Sequence, residues 1–174
     1  MGFQETSEAD PARRVFVSYI DKSREYYLAQ GFGNPYRWAY NRETPFTRPG
    51  KPLSECRVGI VTTSSLWEGQ EHVDLVDRPP KRSYACACEP LPERMFTMDL
   101  SWDKEATHTA DLGSFLPVAA LEELARDGRI GSLSKRFYGV PTEYSQRKTN
   151  TVDAPAILEF CREDGVDAVV LVGL

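Results

Sequence analysis

Long apolar runs are missing from this sequence, and that absence sets the first limit. No stretch approaches the roughly 20 residues that a bilayer-spanning helix needs, and residues 1–10 are polar and acidic, unlike a signal or transit peptide. Positive charge is also short: 21 Lys and Arg stand against 26 Asp and Glu, a net charge of −5 and a pI near 5.2. Phosphate contacts need clustered Lys and Arg, and the most basic pieces, 78–82 and 136–148, are brief and interrupted. Histidine occurs twice (His72 and His108) and cysteine four times. Absent too are Gly-x-Ser-x-Gly, His-Glu-x-x-His, the dinucleotide-binding glycine pattern, internal repeats and low-complexity tracts. The expectation is a cytoplasmic protein with neither membrane nor nucleic acid as partner, its cysteines free thiols.

What is present reads as an α/β chain. Asp10-Pro11 and Gly31 bracket a helix over 12–30 with Val15, Tyr19, Tyr26 and Tyr27 broadly on one face. Residues 31–52 hold Pro35, Pro45, Pro49 and Pro52 among aromatics, the pattern of irregular chain wrapped over a core. Arg57–Ser65 reads as a buried strand, 83–87 and 96–100 as weak ones, and 114–127 as a helix closed by Gly128. Residues 130–138 are short and mixed, and 138–152 read as a polar loop. Asp153 is an N-cap, Pro155 lies in the first turn, and Ile157, Phe160 and Cys161 share a helical face. Gly165 then leads into Val166–Val172, a run apolar on both faces that predicts a central parallel strand. The expected fold is α/β, a three-layer sandwich on a mostly parallel sheet incomplete at its C-terminal side. Residues 1–52 are expected to form the helix and wrapping segment and 53–174 the partial α/β domain, the two together one domain.

Chemistry-bearing residues are few. His108 lies in a polar segment with Asp103, Glu105 and Asp111, where a histidine beside carboxylates can act as general acid or base or ligate a metal. A solvated loop histidine is the plainer reading. Thr63 and Ser64, at the exit of the first strand, offer hydroxyls and amides to a small anion, and Tyr138 and Tyr144 offer substrate contacts from the later loop. Cys86 and Cys88 could grip a soft metal, but zinc sites use a longer spacer and four ligands, so no metal is expected.

Several segments resemble the glycine/sarcosine/betaine and D-proline reductase selenoprotein B family. They are Pro35-Tyr36-Arg37-Trp38, Lys51 to Val58, Phe115-Leu116-Pro117 with Leu121 and Leu124, Gly128 to Leu133, Arg136-Phe137-Tyr138, and Asp164 to Val169. The likeness extends from about Arg24 onward and rests on order and spacing. It implies a final strand running into a Sec-x-x-Cys or Cys-x-x-Cys pair just after Leu174. The ending at Leu174 is accordingly read as a frame cut at a selenocysteine codon; a shortened copy or a natural stop is the alternative. The resemblance further implies a small-molecule substrate, other reductase subunits or a dithiol reductant as partners, and selenocysteine in the full-length protein. Residues 102–111 depart from the family's His/Tyr/Asp pattern, so glycine and proline are not carried over as substrates. A strand left open at the sheet's edge predicts a homo-oligomer or poor solubility. Two other readings stand beside this one: a non-catalytic binding subunit presenting residues 101–111 and 138–148, and a metal-dependent hydrolase or lyase using His108.

Overall fold

The computed structural model describes residues 18–33, 47–66, 79–99 and 108–174. The chain divides into two compact units, Met1–Thr44 and Pro45–Leu174. In the first, helix α1 spans Ser18–Ala29 and closes on Gly31 at φ 89°, the left-handed geometry glycine adopts without strain. Tyr27 makes edge-to-face contacts with Tyr26 and Phe32.

The second unit is built on β1, Arg57–Thr62, whose residues after Arg57 are all buried. Its neighbours are β3 (Ser132–Leu133) and β4 (Arg136–Gly139) on one path and β5 (Ala168–Val172), all parallel to it; β2 (Tyr84–Ala87) runs antiparallel to β4. The result is an open, five-stranded, mostly parallel sheet with helices, an α/β fold. β3 and β4 act as one strand with a kink. Arg57 pairs with Ser132 and Val61 with Tyr138, so the β3–β4 side carries two extra residues, Ser134 and Lys135. The Ser134 amide still donates to Val58 O, at 2.8 Å.

Alternation along β1 sorts the core into two clusters. Val58 and Ile60 join Phe137, Met95, Phe115 and Leu116, together with Val118 and Leu121 of helix α2 (Val118–Arg126). Val61 joins Tyr138 with Ile157, Phe160 and Cys161 of helix α4 (Ala154–Glu163). Helix α2 is shorter than the expected 114–127, because Ser114 belongs to a separate 3-10 turn capped by Asp111, and Leu124 is exposed. Gly128 ends it at φ 70°.

Four expectations need correction. Residues 130–138, read as nondescript, supply the strands beside β1. Residues 138–152 are in part helical: α3 (Gln146–Lys148) passes into a π-helical turn, Thr149–Asp153, and on into α4. The Val166–Val172 run is no buried central strand. Among the described residues β5 pairs with β1 alone, and Val169, Val170 and Leu171 are exposed, Leu171 at 74%. Continuous hydrophobicity marks a strand but not its place in the sheet; β1 holds the centre. At 96–100 only an isolated bridge, Ser65 to Phe96, forms among the described residues.

Candidate functional site

Open parallel sheets place ligands beyond the carboxyl ends of their strands, so the residues leaving β1, β4 and β5 define the candidate site. Hydroxyl side chains follow β1 because they can satisfy backbone groups where the ladder stops. Thr62 and Ser64 are fully buried, with Oγ1 and Oγ 3.0 Å apart, and the Ser64 amide donates to Thr62 Oγ1 at 3.3 Å. Thr63 faces β5: its amide donates to Val172 O, and its Oγ1 accepts from the Leu174 amide at 2.8 Å. From β2, Tyr84 reaches over and donates its hydroxyl to Ser64 O at 2.9 Å. Its ring lies across Gly139, its cross-strand partner, where a Cβ would fall 1.9 Å from the ring. Burial holds the Tyr84 phenol well above its ordinary pKa, against the pull of its bond to Ser64, so it stays a donor.

A second cluster stands at the same end, built from the entry to β2, the loop after β4 and the turn before α4. Asp153 is buried (side chain 2% exposed) and its carboxylate accepts from Lys148 Nζ at 3.0 and 2.9 Å and from Ser83 Oγ at 3.0 Å. Glu143 lies 3.4 Å from the same ammonium. Burial disfavours the Glu143 carboxylate, but the Ser145 and Tyr144 amides and Lys148 outweigh it and leave its pKa lowered. Lys81 Nζ donates to the carbonyl of Thr142, whose enclosed hydroxyl has no partner among the described residues. Asp153 makes no side-chain cap, contrary to its sequence reading, because its carboxylate is turned to Lys148 and Ser83.

The residues singled out from sequence are scattered. Thr63 and Ser64 do line the carboxyl edge. Tyr144 is exposed and donates to Asp99 Oδ2 at 2.8 Å. Tyr138 is buried, and its hydroxyl is directed to the opposite side, 2.7 Å from Asp164 Oδ2 and 3.1 Å from Ser134 Oγ. His108 is exposed and accepts the Ala110 amide on Nδ1 at 3.3 Å; Asp111 Oδ1 accepts the Gly113 amide at 3.1 Å. Asp103 lies outside the described residues, as do Glu105 and His72. Among the described residues, no three His, Cys, Asp or Glu side chains converge as a metal site would require. Tyr84, Ser83, Lys148 and Asp153 were missed; their partners are 5 to 70 residues away, and only the Lys148–Asp153 spacing left a local trace.

None of the four thiols occupies this edge. Cys56 is buried where the chain enters β1, with Sγ 3.3 Å from Pro52 O. Cys88 pairs through its amide with Lys135 O, at the other end of β4, and burial, with Cys86 adding, pushes its pKa up to about 11. Burial, then Asp164, also raises the Cys161 thiol. Comparison with family models, with curated proteins and with solved structures finds no match. At this edge Thr63 and Tyr84 stay partly exposed while the Thr62 and Ser64 hydroxyls are enclosed, and no thiol stands there to attack a bound molecule.

Proposed function

We propose that this chain is the N-terminal part of a selenol- or thiol-dependent reductase of the glycine/sarcosine/betaine and D-proline reductase type. The observation that carries the reading is the parallel pairing of β5 with β1, which lays Gly173 and Leu174 against the hydroxyl-lined exit of β1. A chalcogen following β5, as the resemblance implies, would emerge beside Thr63, Ser64 and Tyr84. Four of the six segments that carry the resemblance, Lys51 to Val58, Gly128 to Leu133, Arg136 to Tyr138 and Asp164 to Val169, enter or form the parallel strands. That Cys56 and Cys161 are buried and Cys88 is hard to ionise fits a nucleophile supplied from elsewhere.

In this reading the selenolate or thiolate takes part in reductive cleavage of an activated C–N bond. The neighbouring Cys closes on the oxidised chalcogen, and a low-potential dithiol returns two electrons to reopen the bridge. Tyr84, kept protonated, and the Thr63 hydroxyl would orient the substrate; the substrate itself is a small polar molecule whose identity the resemblance does not transfer. A soluble, cytoplasmic, oligomeric enzyme with a dithiol reductant or further subunits as partners belongs to the same proposal. Reading the gene onward from the Leu174 codon tests it. UGA or a Cys codon with x-x-Cys in frame is the expected result. UAA or UAG with no coding sequence after it would remove the reductase reading and leave the binding-subunit one.

A further inference from the structure

We infer that the Lys148–Asp153 ion pair is a register lock that holds residues 149–153 in the π form and thereby sets how α3 is presented at the carboxyl edge. This stands apart from the reductase reading. Gln146 to Glu163 is one continuous helical stretch with a single π turn in its middle, where the Ala154 amide donates to Thr149 O, five residues back. Residues five apart lie about 140° apart around an α-helix of 3.6 residues per turn, on different faces. A π turn bonds each residue to the fifth one along and stacks them. Lys148 and Asp153 are five apart, and they meet at 2.9 Å. The π turn brings the two side chains toward one side of the helix, so pair and turn stabilise each other.

Two anchors make the coupling directional. Asp153 is buried and tied to β2 through Ser83, while Ile157, Phe160 and Cys161 fix α4 in the core. Glu143, bonded to the Tyr144 and Ser145 amides, approaches Lys148 from the loop after β4. If the pair is lost, the turn can tighten to α bonding by one residue. With α4 held, α3 would turn by about 100°, carrying Gln146, Arg147 and Lys148 round the mouth of the edge. An unpaired buried Asp153 would favour that slip.

The spacing supplies its own control. Deleting Asn150, an exposed residue within the turn, brings Lys148 and Asp153 to four apart, where an α-helix aligns a charge pair. The measurement is hydrogen exchange of the Ala154 amide, with through-hydrogen-bond NMR couplings naming its acceptor, in four proteins: parent, Lys148→Met, the Asn150 deletion, and both together. Lys148→Met in the parent spacing should speed Ala154 exchange at least about tenfold, as loss of a charge-assisted contact implies, and move its acceptor away from Thr149. In the deletion background the amide should keep one α-type acceptor with or without Lys148, and its rate should change less than in the parent spacing. Ala154 still bonded to Thr149 in Lys148→Met, or an equal acceleration in both backgrounds, would overturn the lock. Should Lys148→Met fail to fold, Lys148→Gln serves with the same readout.

Discussion

The Tyr138 hydroxyl stands 2.7 Å from Asp164 Oδ2, joining the middle of β4 to the residue that ends α4. Arg136 Nε reaches the same oxygen at 2.8 Å, and Ser134 Oγ lies 3.1 Å from the phenol. The kink at Ser134–Lys135 puts the serine within reach. Tyr138→Phe removes a buried hydroxyl bonded to a charge, and should lower the unfolding free energy by about 1.5–3 kcal/mol. Urea denaturation of the two proteins measures it, and an unchanged midpoint would refute it.

Asp164 also shapes the acid limb of stability. Its bond to Arg136, helped by that to Tyr138, holds its carboxyl below the ordinary aspartate range although partial burial works the other way. A depressed folded-state pKa contributes stability in full above the unfolded value, near pH 4, and loses it as pH falls through the folded value. Asp164→Asn should therefore destabilise the protein at pH 7 and make its stability less steep below about pH 4. Thermal midpoints from pH 7 down to pH 2.5 give the comparison; parallel curves would count against the assignment.

Gly139 admits no larger residue while Tyr84 covers it. A Cβ there would sit 1.9 Å from the ring and 2.4 Å from the phenol oxygen, so Gly139→Ala must displace Tyr84 and break its bond to Ser64 O. The expected loss is about 1–3 kcal/mol, with Tyr84→Ala recovering part of it in the double variant. Additive losses in the cycle would show that the two residues do not compete for space.

The thiols should differ in reactivity by position. With its pKa near 11, raised chiefly by burial, Cys88 holds little thiolate at pH 8. Its alkylation by iodoacetamide should run at least about tenfold slower than that of an unperturbed thiol of pKa near 8.5, and accelerate toward pH 11. Peptide mapping of alkylated protein against time follows it; labelling of Cys88 at the free-thiol rate at pH 8 would contradict the burial.

The edge at β5 makes a prediction about association. Ala168–Val172 carries no charge, and Leu171 is 74% exposed. An uncharged open edge invites pairing, and one lysine blocks it. Leu171→Lys should reduce concentration-dependent association in sedimentation while changing stability by less than about 0.5 kcal/mol. A variant that associates as strongly as the parent would exclude β5 as the route.

Local signals carried much of the fold. Apolar content marked β1 and β5, Gly128 and Gly165 marked helix ends by their positive φ, and the face of Ile157, Phe160 and Cys161 predicted α4 packing. What stayed hidden depends on distant partners. Ser132–Leu133 and Arg136–Gly139 are too short and mixed to show a period, and become strands because β1 offers a ladder. Tyr138 and Tyr84 look alike as sequence; one turns toward Asp164, the other toward Ser64. Thr63 and Ser64 could be found, since a hydroxyl run at a strand exit is a local pattern. Lys148 and Asp153 left only their five-residue spacing as a trace, and the α-helical period sets such residues on different faces.

The central position of β1 has a consequence for synthesis. Among the described residues, every strand paired with β1 is encoded downstream of it, the farthest ending at Val172. As the chain leaves the ribosome, Val58 to Thr62 emerge with their amides and carbonyls unmatched, and the last ladder cannot close until about 110 further residues have been translated. At 5–20 residues per second that interval is about 5–20 s. β3 and β4 can cover one edge after about 77 residues, but the other edge of the most buried strand stays open throughout, so yield in cells should depend on how well nascent-chain chaperones cover it.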